Sequence, residues 1–226
     1  MMNDSIKLAI DRLYEVFKIY QIKDPANVSF FDFGPNAEEF AGISNELRNI
    51  PTRILDRMEF YEAGWNSWGT ENEVKYLLPR LLECISFDIN RLDDPGYFSL
   101  FKYKLKNCFS VTNKDWSDIE KNCIKKFFDV LLECHLSKSV EIGFLIECVL
   151  TLDMSPDYIV SKWNSKEVLH KNQVINLFTH FNCLNDGKFY SPKGVYLDNN
   201  EKIKKFIDYV YTKLTPEELA EISFCR

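Results

Sequence analysis

Apolar side chains recur at intervals of three and four residues along most of this chain, a spacing that places them on one face of an α-helix. The strongest such pattern comprises Ile119, Cys123, Ile124, Phe127, Phe128, Leu131 and Leu132. Other faces comprise Ile6, Ile10, Leu13, Phe17 and Tyr20, then Val74, Leu77, Leu78, Leu81, Leu82 and Ile85, and finally Ile203, Phe206, Ile207, Val210 and Leu214. Residues 142–152 are apolar almost all round, which is typical of a buried central helix.

Several residues indicate where these helices begin and end. Ser117 and Glu120 have the spacing of a capping box, in which a hydroxyl and a carboxylate satisfy backbone N–H groups of the first turn. Thr70 and Glu73 repeat that spacing. Pro79 lies within an apolar face, and we expect it to kink the helix or end it, because proline lacks a backbone N–H.

Strand patterns are scarce in this sequence. We expect at most one small β-hairpin near residues 189–197, around the turn sequence Ser191-Pro-Lys-Gly194. No change in composition divides the chain. We therefore predict an all-α fold for residues 1–226 as a single helical domain, built from stacked helical hairpins as an α-solenoid-like array or an irregular bundle.

The overall composition indicates a soluble globular protein. The chain has 226 residues, 46% of them hydrophobic and 27% charged, with a formal net charge of −6. An acidic chain is a poor direct ligand for nucleic acid, since phosphate neutralisation requires a basic surface. No apolar run approaches the roughly 20 residues of a membrane span, and the N-terminal segment has too many charges for a secretory signal. We expect a cytoplasmic protein that meets no membrane, and one whose acidity suits a basic partner.

Sequence motifs for catalysis, cofactors and metals are missing. The chain contains no phosphate-binding glycine loop, no H-E-x-x-H and no G-x-S-x-G. Its cysteines are odd in number and none forms a C-x-x-C pair, so we expect reduced thiols and no metal site: Cys84, Cys108, Cys123, Cys134, Cys148, Cys183 and Cys225. Cys134 precedes His135, and we interpret them as a core cysteine beside a surface histidine. We predict no catalytic residue and no cofactor.

Residues 61–88 contain a distinctive segment with two tryptophans, Trp65 and Trp68, three positions apart. These rings either close a helical hairpin as part of the core or serve as exposed anchors for a partner, since tryptophan is enriched at interface hot spots. The candidate partner-binding residues cluster around this helix start and the turn that follows the helix: Trp65, Trp68, Glu71, Glu73, Asp93 and Asp94.

The segment also carries a resemblance. Its residues Tyr61, Trp65, Trp68-Gly69-Thr70 and Val74, followed by Tyr76-Leu-Leu-Pro-Arg-Leu-Leu-Glu83, resemble an uncharacterised family of bacterial all-helical proteins. Many members carry a cysteine pair upstream, where this chain has Phe30 to Phe33, so no metal or redox role carries over. The resemblance implies a helical bacterial protein and no particular activity.

Three classes of function fit these features. The first is a non-enzymatic immunity protein that neutralises a cognate toxin, an acidic face covering a basic toxin domain with electrostatically steered association. The second is an enzyme of unrecognised type, with carboxylates and histidines converging from distant helices. The third is a general helical adaptor protein.

Overall fold

A computed structural model describes residues 3–21, 47–55, 71–93, 105, 115–136, 142–152, 154–164, 183–185, 188–190, 200–212, 215–217 and 220. Its α-helices are α1 (Asp4–Phe17), α2 (Thr52–Leu55), α3 (Glu71–Phe87), α4 (Asp118–His135), α5 (Gly143–Thr151), α6 (Pro156–Asn164) and α7 (Asn200–Tyr211). Two 3-10 helices span Leu47–Asn49 and Ile89–Asp93, and the strands β1 (Cys183–Asn185) and β2 (Lys188–Tyr190) form an antiparallel pair. The predicted all-α class is confirmed.

The chain divides into two compact units, Met1–Val130 and Leu131–Arg226. The boundary falls inside the residue range of helix α4. That the whole chain folds as one domain stays a prediction.

In the first unit, α1 and α3 pack against each other in antiparallel orientation. Tyr14 of α1 donates to Glu83, near the end of α3. Tyr20, which follows α1, accepts from Lys75, near the start of α3, so the two helices run in opposite directions. The predicted positions Ile6, Ile10, Leu13 and Phe17 of α1 are buried, and Ala9 is buried with them. Helix α1 ends at Phe17, and Tyr20 lies beyond it as a half-buried side chain.

Helix α3 is continuous through Pro79. The expectation that Pro79 ends the helix is therefore wrong, whereas a kink at Pro79 stays a prediction. A proline inside a helix costs about 3 kcal/mol, while each large apolar side chain that becomes fully buried contributes about 1.5–3 kcal/mol. Leu77, Leu78, Leu81 and Leu82 around Pro79 are at most 1% exposed, so their packing offsets the lost hydrogen bond.

Helix α4 follows its predicted apolar face with two corrections. Ile119, predicted to belong to that face, is 64% exposed, and the buried positions begin at Glu120 and Cys123. His135, predicted at the surface, is buried, whereas Cys134 is only half-buried. The ring Nδ1 of His135 lies 2.8 Å from the Leu131 carbonyl oxygen, which only accepts, so Nδ1 donates. That bond satisfies the ring in the core.

The second unit contains the predicted central helix. In α5 every residue from Gly143 to Leu150 is buried, as is Ile142 before it. The next helix, α6, begins with Pro156 after Ser155, whose hydroxyl accepts a hydrogen bond of 3.0 Å from the Tyr158 backbone N–H. Helix α7 packs against α5 and α6, with Ile207 buried.

The described hairpin joins β1 and β2, in the register Cys183 with Tyr190 and Asn185 with Lys188. The predicted turn Ser191-Pro-Lys-Gly194 lies outside the described residues. Two residues, Asp186 and Gly187, separate the strands in the sequence. Asp-Gly between two short strands is typical of a two-residue hairpin loop, a stronger signal than the one used for the prediction.

Cys84, Cys123, Cys134 and Cys148 are free thiols. Cys84, Cys123 and Cys148 are buried, as predicted for small apolar side chains, and Cys134 is half-buried. Burial raises the pKa of the Cys123 thiol to about 11, despite the opposing charge of Arg12. Burial, with the nearby Glu147 carboxylate, raises the pKa of Cys148 well above its ordinary value. These thiols are poor nucleophiles at neutral pH.

Candidate functional site

Three helix ends meet at one place in the first unit, which we call the three-helix end. The C-terminal end of α1, the first turns of α3 and the start of α4 are joined there through Lys75. The Lys75 ammonium donates to the Tyr20 hydroxyl at 3.1 Å, to the Asp115 carbonyl oxygen, and to Glu120 Oε2 at 3.3 Å. Lys75 is only 2% exposed and Glu120 only 3% exposed, so this is a buried ion pair.

Aromatic rings enclose the same ammonium. Lys75 Nζ lies 4.6 Å from the centroid of the Trp116 ring and 4.8 Å from that of the Tyr20 ring. Phe17 completes the aromatic wall, with its ring centroid 6.1 Å from those of Tyr20 and Trp116. Cation–π attraction compensates part of the cost of removing the charge from water.

The predicted capping box at Ser117 and Glu120 is confirmed, and it extends into this network. Glu120 Oε2 accepts from the Ser117 backbone N–H at 2.6 Å and from the Ser117 hydroxyl at 2.8 Å. In return the Ser117 hydroxyl oxygen accepts from the Glu120 backbone N–H at 3.3 Å. Glu120 Oε1 accepts from the Tyr20 hydroxyl at 2.5 Å. One carboxylate therefore caps α4 and also fixes α1 and α3.

Both members of the ion pair remain charged in the folded protein. Burial by itself would raise the pKa of Glu120, but hydrogen bonds from Tyr20, Ser117 and Lys75 outweigh it and lower that pKa. Burial would lower the pKa of Lys75, but its bonds to Tyr20 and Glu120 raise it. Glu120 thus stabilises the fold above the ordinary glutamate pKa, and this contribution is lost as pH falls through its lower folded pKa. Lys75 stabilises the fold below the ordinary lysine pKa and loses its effect as pH rises through its higher folded pKa.

We predict that the Glu120→Gln variant has a lower unfolding free energy than the wild type at pH 7. This difference in unfolding free energy should shrink as pH falls below the ordinary carboxyl pKa and through the lower folded pKa of Glu120, because the protonated carboxyl no longer stabilises the fold more than the amide does. Urea unfolding at pH 7 and at pH 3 measures the difference. Glu133→Gln is the control, because that side chain is 51% exposed. If the difference in unfolding free energy between wild type and variant is the same at both pH values, the Lys75–Glu120 ion pair is contradicted.

A second polar cluster ties α1 to α3 further along the same pair of helices. Glu83 Oε2 accepts from the Tyr14 hydroxyl and from Arg80 Nη1, each at 2.6 Å. Arg80 Nε donates to the Ile50 carbonyl at 3.0 Å, and the Arg48 guanidinium lies 4.3 Å above the Tyr14 ring. Burial and the Glu83 carboxylate raise the pKa of Tyr14. The cluster holds the segment around Ile50 against the two helices.

The structure places only some of the predicted partner-binding residues at the three-helix end. Glu71 lies there, and its carboxylate accepts a hydrogen bond from Trp116 Nε1, while Glu73 is half-buried in the same helical turn. Asp93 ends the 3-10 helix that follows α3, and α3 itself is 17 residues or about 25 Å long, so Asp93 is not brought together with Glu71. Trp65, Trp68 and Asp94 lie outside the described residues.

The sequence identifies Glu120 as a capping residue and Tyr20 as part of an apolar face, but it does not indicate that either contacts Lys75. The only sequence signal for Lys75 is its position directly after Val74 in a strongly apolar helix. Its partner Glu120 is 45 residues away, and Tyr20 is 100 residues from Glu120. Nothing in the local sequence pairs residues over such distances.

The two clusters differ in their exposure to water. Lys75 and Glu120 are buried and paired with each other, whereas the Arg48 guanidinium of the second cluster is 49% exposed. Within the described ranges, no three His, Cys, Asp or Glu side chains are grouped as metal ligands. No helix in that part of the chain has the length and apolarity that a membrane span requires.

Comparisons with protein-family models, with curated proteins and with solved structures gave no match. The resemblance to a bacterial helical family stays a prediction.

Proposed function

We propose that this chain is a non-enzymatic binding protein, and that it acts as an immunity protein that neutralises a basic toxin domain by direct contact. The observation that carries the proposal is the three-helix end, where acidic side chains lie next to the buried Lys75–Glu120 ion pair. Asp115 and Asp118 are exposed, and the half-buried Glu71 lies beside them, because it accepts a hydrogen bond from Trp116. The chain as a whole has a net charge of −6.

Acidic residues in the first turn of a helix also have a purely local explanation, since they complement the helix dipole. Asp118 and Glu120 of α4, and Glu71 and Glu73 of α3, occupy such positions. The fold brings the two first turns together, however, because Trp116 bonds to Glu71 and Lys75 bonds to Glu120. A negative field from both helix starts is therefore concentrated at one end of the unit, and such a field speeds association with a basic partner.

The proposal can be tested by capture and rescue. Immobilised protein is exposed to an extract of its native host, and each retained protein is identified and then expressed alone or together with this chain in a heterologous bacterium. We expect a basic protein whose expression stops growth, and we expect co-expression to restore growth. If no retained protein is toxic, or if its toxicity persists in the presence of this chain, the proposed function is wrong.

Salt dependence supplies the second readout. For the purified pair, raising the salt concentration from about 0.05 M to 0.5 M shortens the screening length several-fold. We expect the association rate to fall by about tenfold or more while the dissociation rate changes little. An association rate that is insensitive to salt contradicts electrostatic steering by the acidic surface.

A further inference from the structure

Two isoleucines project into solvent at the three-helix end. Ile19 is 72% exposed and Ile119 is 64% exposed. Ile19 precedes Tyr20 and Ile119 precedes Glu120, and those two neighbours are joined by a 2.5 Å hydrogen bond. The two exposed residues therefore lie at the same end of the first unit.

Neither isoleucine contributes to the core. The interior next to them is filled by other side chains, with Phe17 and Trp116 at most 3% exposed. Single exposed apolar residues are common on proteins and need no explanation. Two at one end of the unit are different, because a partner that covered both would remove their apolar surface from water together.

The charges around the isoleucines indicate what kind of partner would cover them. Asp115 and Asp118 shortly precede Ile119 in the sequence and are exposed. Glu71 of α3 accepts a hydrogen bond from Trp116, which lies between the two aspartates in the sequence. Near Ile19, the exposed Lys18 is paired with Glu15 at 2.6 Å and so adds no net charge. Lys121 is half-buried in the first turns of α4. Arg12, whose charge acts on Glu15 and Cys123, adds another cation. Among the described residues around the pair, the carboxylates Glu15, Glu71, Asp115 and Asp118 outnumber the cations Lys18, Arg12 and Lys121 by one, which favours a cationic partner.

We propose that the three-helix end binds a basic amphipathic segment of a protein partner, whose apolar side chains cover Ile19 and Ile119 while its lysines or arginines face Asp115 and Asp118. An amphipathic helix is the simplest such segment, since it presents apolar anchors three and four positions apart on one face. The inference rests on the proposed function, for which it names the contact surface and the chemistry of the contacting part of the toxin.

The surface can be tested with a defined probe, independently of any natural partner. The probe is a helical peptide of about 18 residues, or five turns, with leucine on one face and lysine on the other. A second peptide with glutamate in place of lysine is its control. Binding is followed by NMR of isoleucine methyl groups in the full chain, and affinities are taken from the titration.

We expect the lysine peptide to shift the methyl signals of Ile19 and Ile119 and the glutamate peptide to leave them in place. The Ile19→Ser/Ile119→Ser variant should bind the lysine peptide at least about tenfold more weakly, which corresponds to about 1.4 kcal/mol. The chain offers a matched control in Leu8→Ser/Phe87→Ser, because Leu8 is 73% and Phe87 is 63% exposed. That variant should bind within about twofold of the wild type. All four positions are exposed, so both variants should keep their fold.

Other outcomes would overturn the inference. It is wrong if the isoleucine variant binds the lysine peptide as tightly as the wild type does, or if the glutamate peptide binds equally well. Its failure can be told apart from failure of the proposed function. If the isoleucine variant still fully neutralises the toxin, the proposed contact surface is wrong and the immunity function is unaffected. If the peptide binds at Ile19 and Ile119 but no toxin is neutralised, the immunity function is wrong and the contact surface is unaffected.

Discussion

The Lys75→Met variant should lose about 3–5 kcal/mol of unfolding free energy, the cost expected when one partner of a buried ion pair is removed. Glu120 is 3% exposed, and without the ammonium its carboxylate would remain in the interior with an uncompensated charge. The aromatic wall of Tyr20 and Trp116 would also lose the cation that it surrounds. Urea unfolding at pH 7, followed by circular dichroism, measures the loss.

A matched control for this experiment is Lys18→Met. Lys18 also pairs with a glutamate, Glu15, at 2.6 Å, but both side chains are more than half exposed. Exposed pairs contribute little, so this variant should unfold almost as the wild type does. The double variant Lys75→Met/Glu120→Leu should recover part of the loss, because it removes both buried charges together. A Lys75→Met variant as stable as Lys18→Met contradicts the buried pair.

The Phe128→Ala variant should lose about 3–5 kcal/mol of unfolding free energy, since it removes a large side chain from a closed core. Phe128 is fully buried, and its ring packs edge-on against that of Phe127 with centroids 5.2 Å apart. Truncation leaves a cavity that the adjacent helix backbone can fill only in part. The measurement is again urea unfolding at pH 7.

Phe87→Ala is the matched control, because it deletes the same atoms from a ring that is 63% exposed. We expect this variant to change stability by no more than about 0.5 kcal/mol. Equal losses in the two phenylalanine variants would mean that the described core of α4 is not the core of the folded protein.

Much of the helical part of the fold can be predicted from the sequence, because burial on one face imposes its period on the residues. In α1 the spacing of Ile6, Ile10, Leu13 and Phe17 corresponds directly to the buried face of the helix. Helix starts are also local, since a cap bonds to a backbone group three residues away, and the cap at Ser155 has that form.

What the sequence does not predict depends on contacts between distant segments. Periodicity places Ile119 on the apolar face of α4, but only the packing of the other elements decides that this position faces water. Periodicity likewise does not predict the burial of His135, which depends on the side chains packed around that end of α4. Tertiary burial also carries α3 through Pro79 against the local preference of proline.

The candidate site shows the same division. Glu71 and Glu73 are recognisable as an acidic helix start, and the structure places them at the three-helix end. The ion pair beneath them and the isoleucines beside them come from segments 45 to 100 residues apart, which meet only in the folded chain. The surface at the three-helix end therefore forms only when the unit is folded, and local sequence patterns do not predict it.

The central claim is that this protein acts by binding a basic protein through the three-helix end. The most direct test is to measure the affinity of the captured toxin for three proteins by calorimetry: the wild type, Ile19→Ser/Ile119→Ser and Leu8→Ser/Phe87→Ser. We predict tight binding by the wild type and by the Leu8/Phe87 variant, and binding at least about tenfold weaker by the Ile19/Ile119 variant. Equal affinities for all three proteins would contradict the claim.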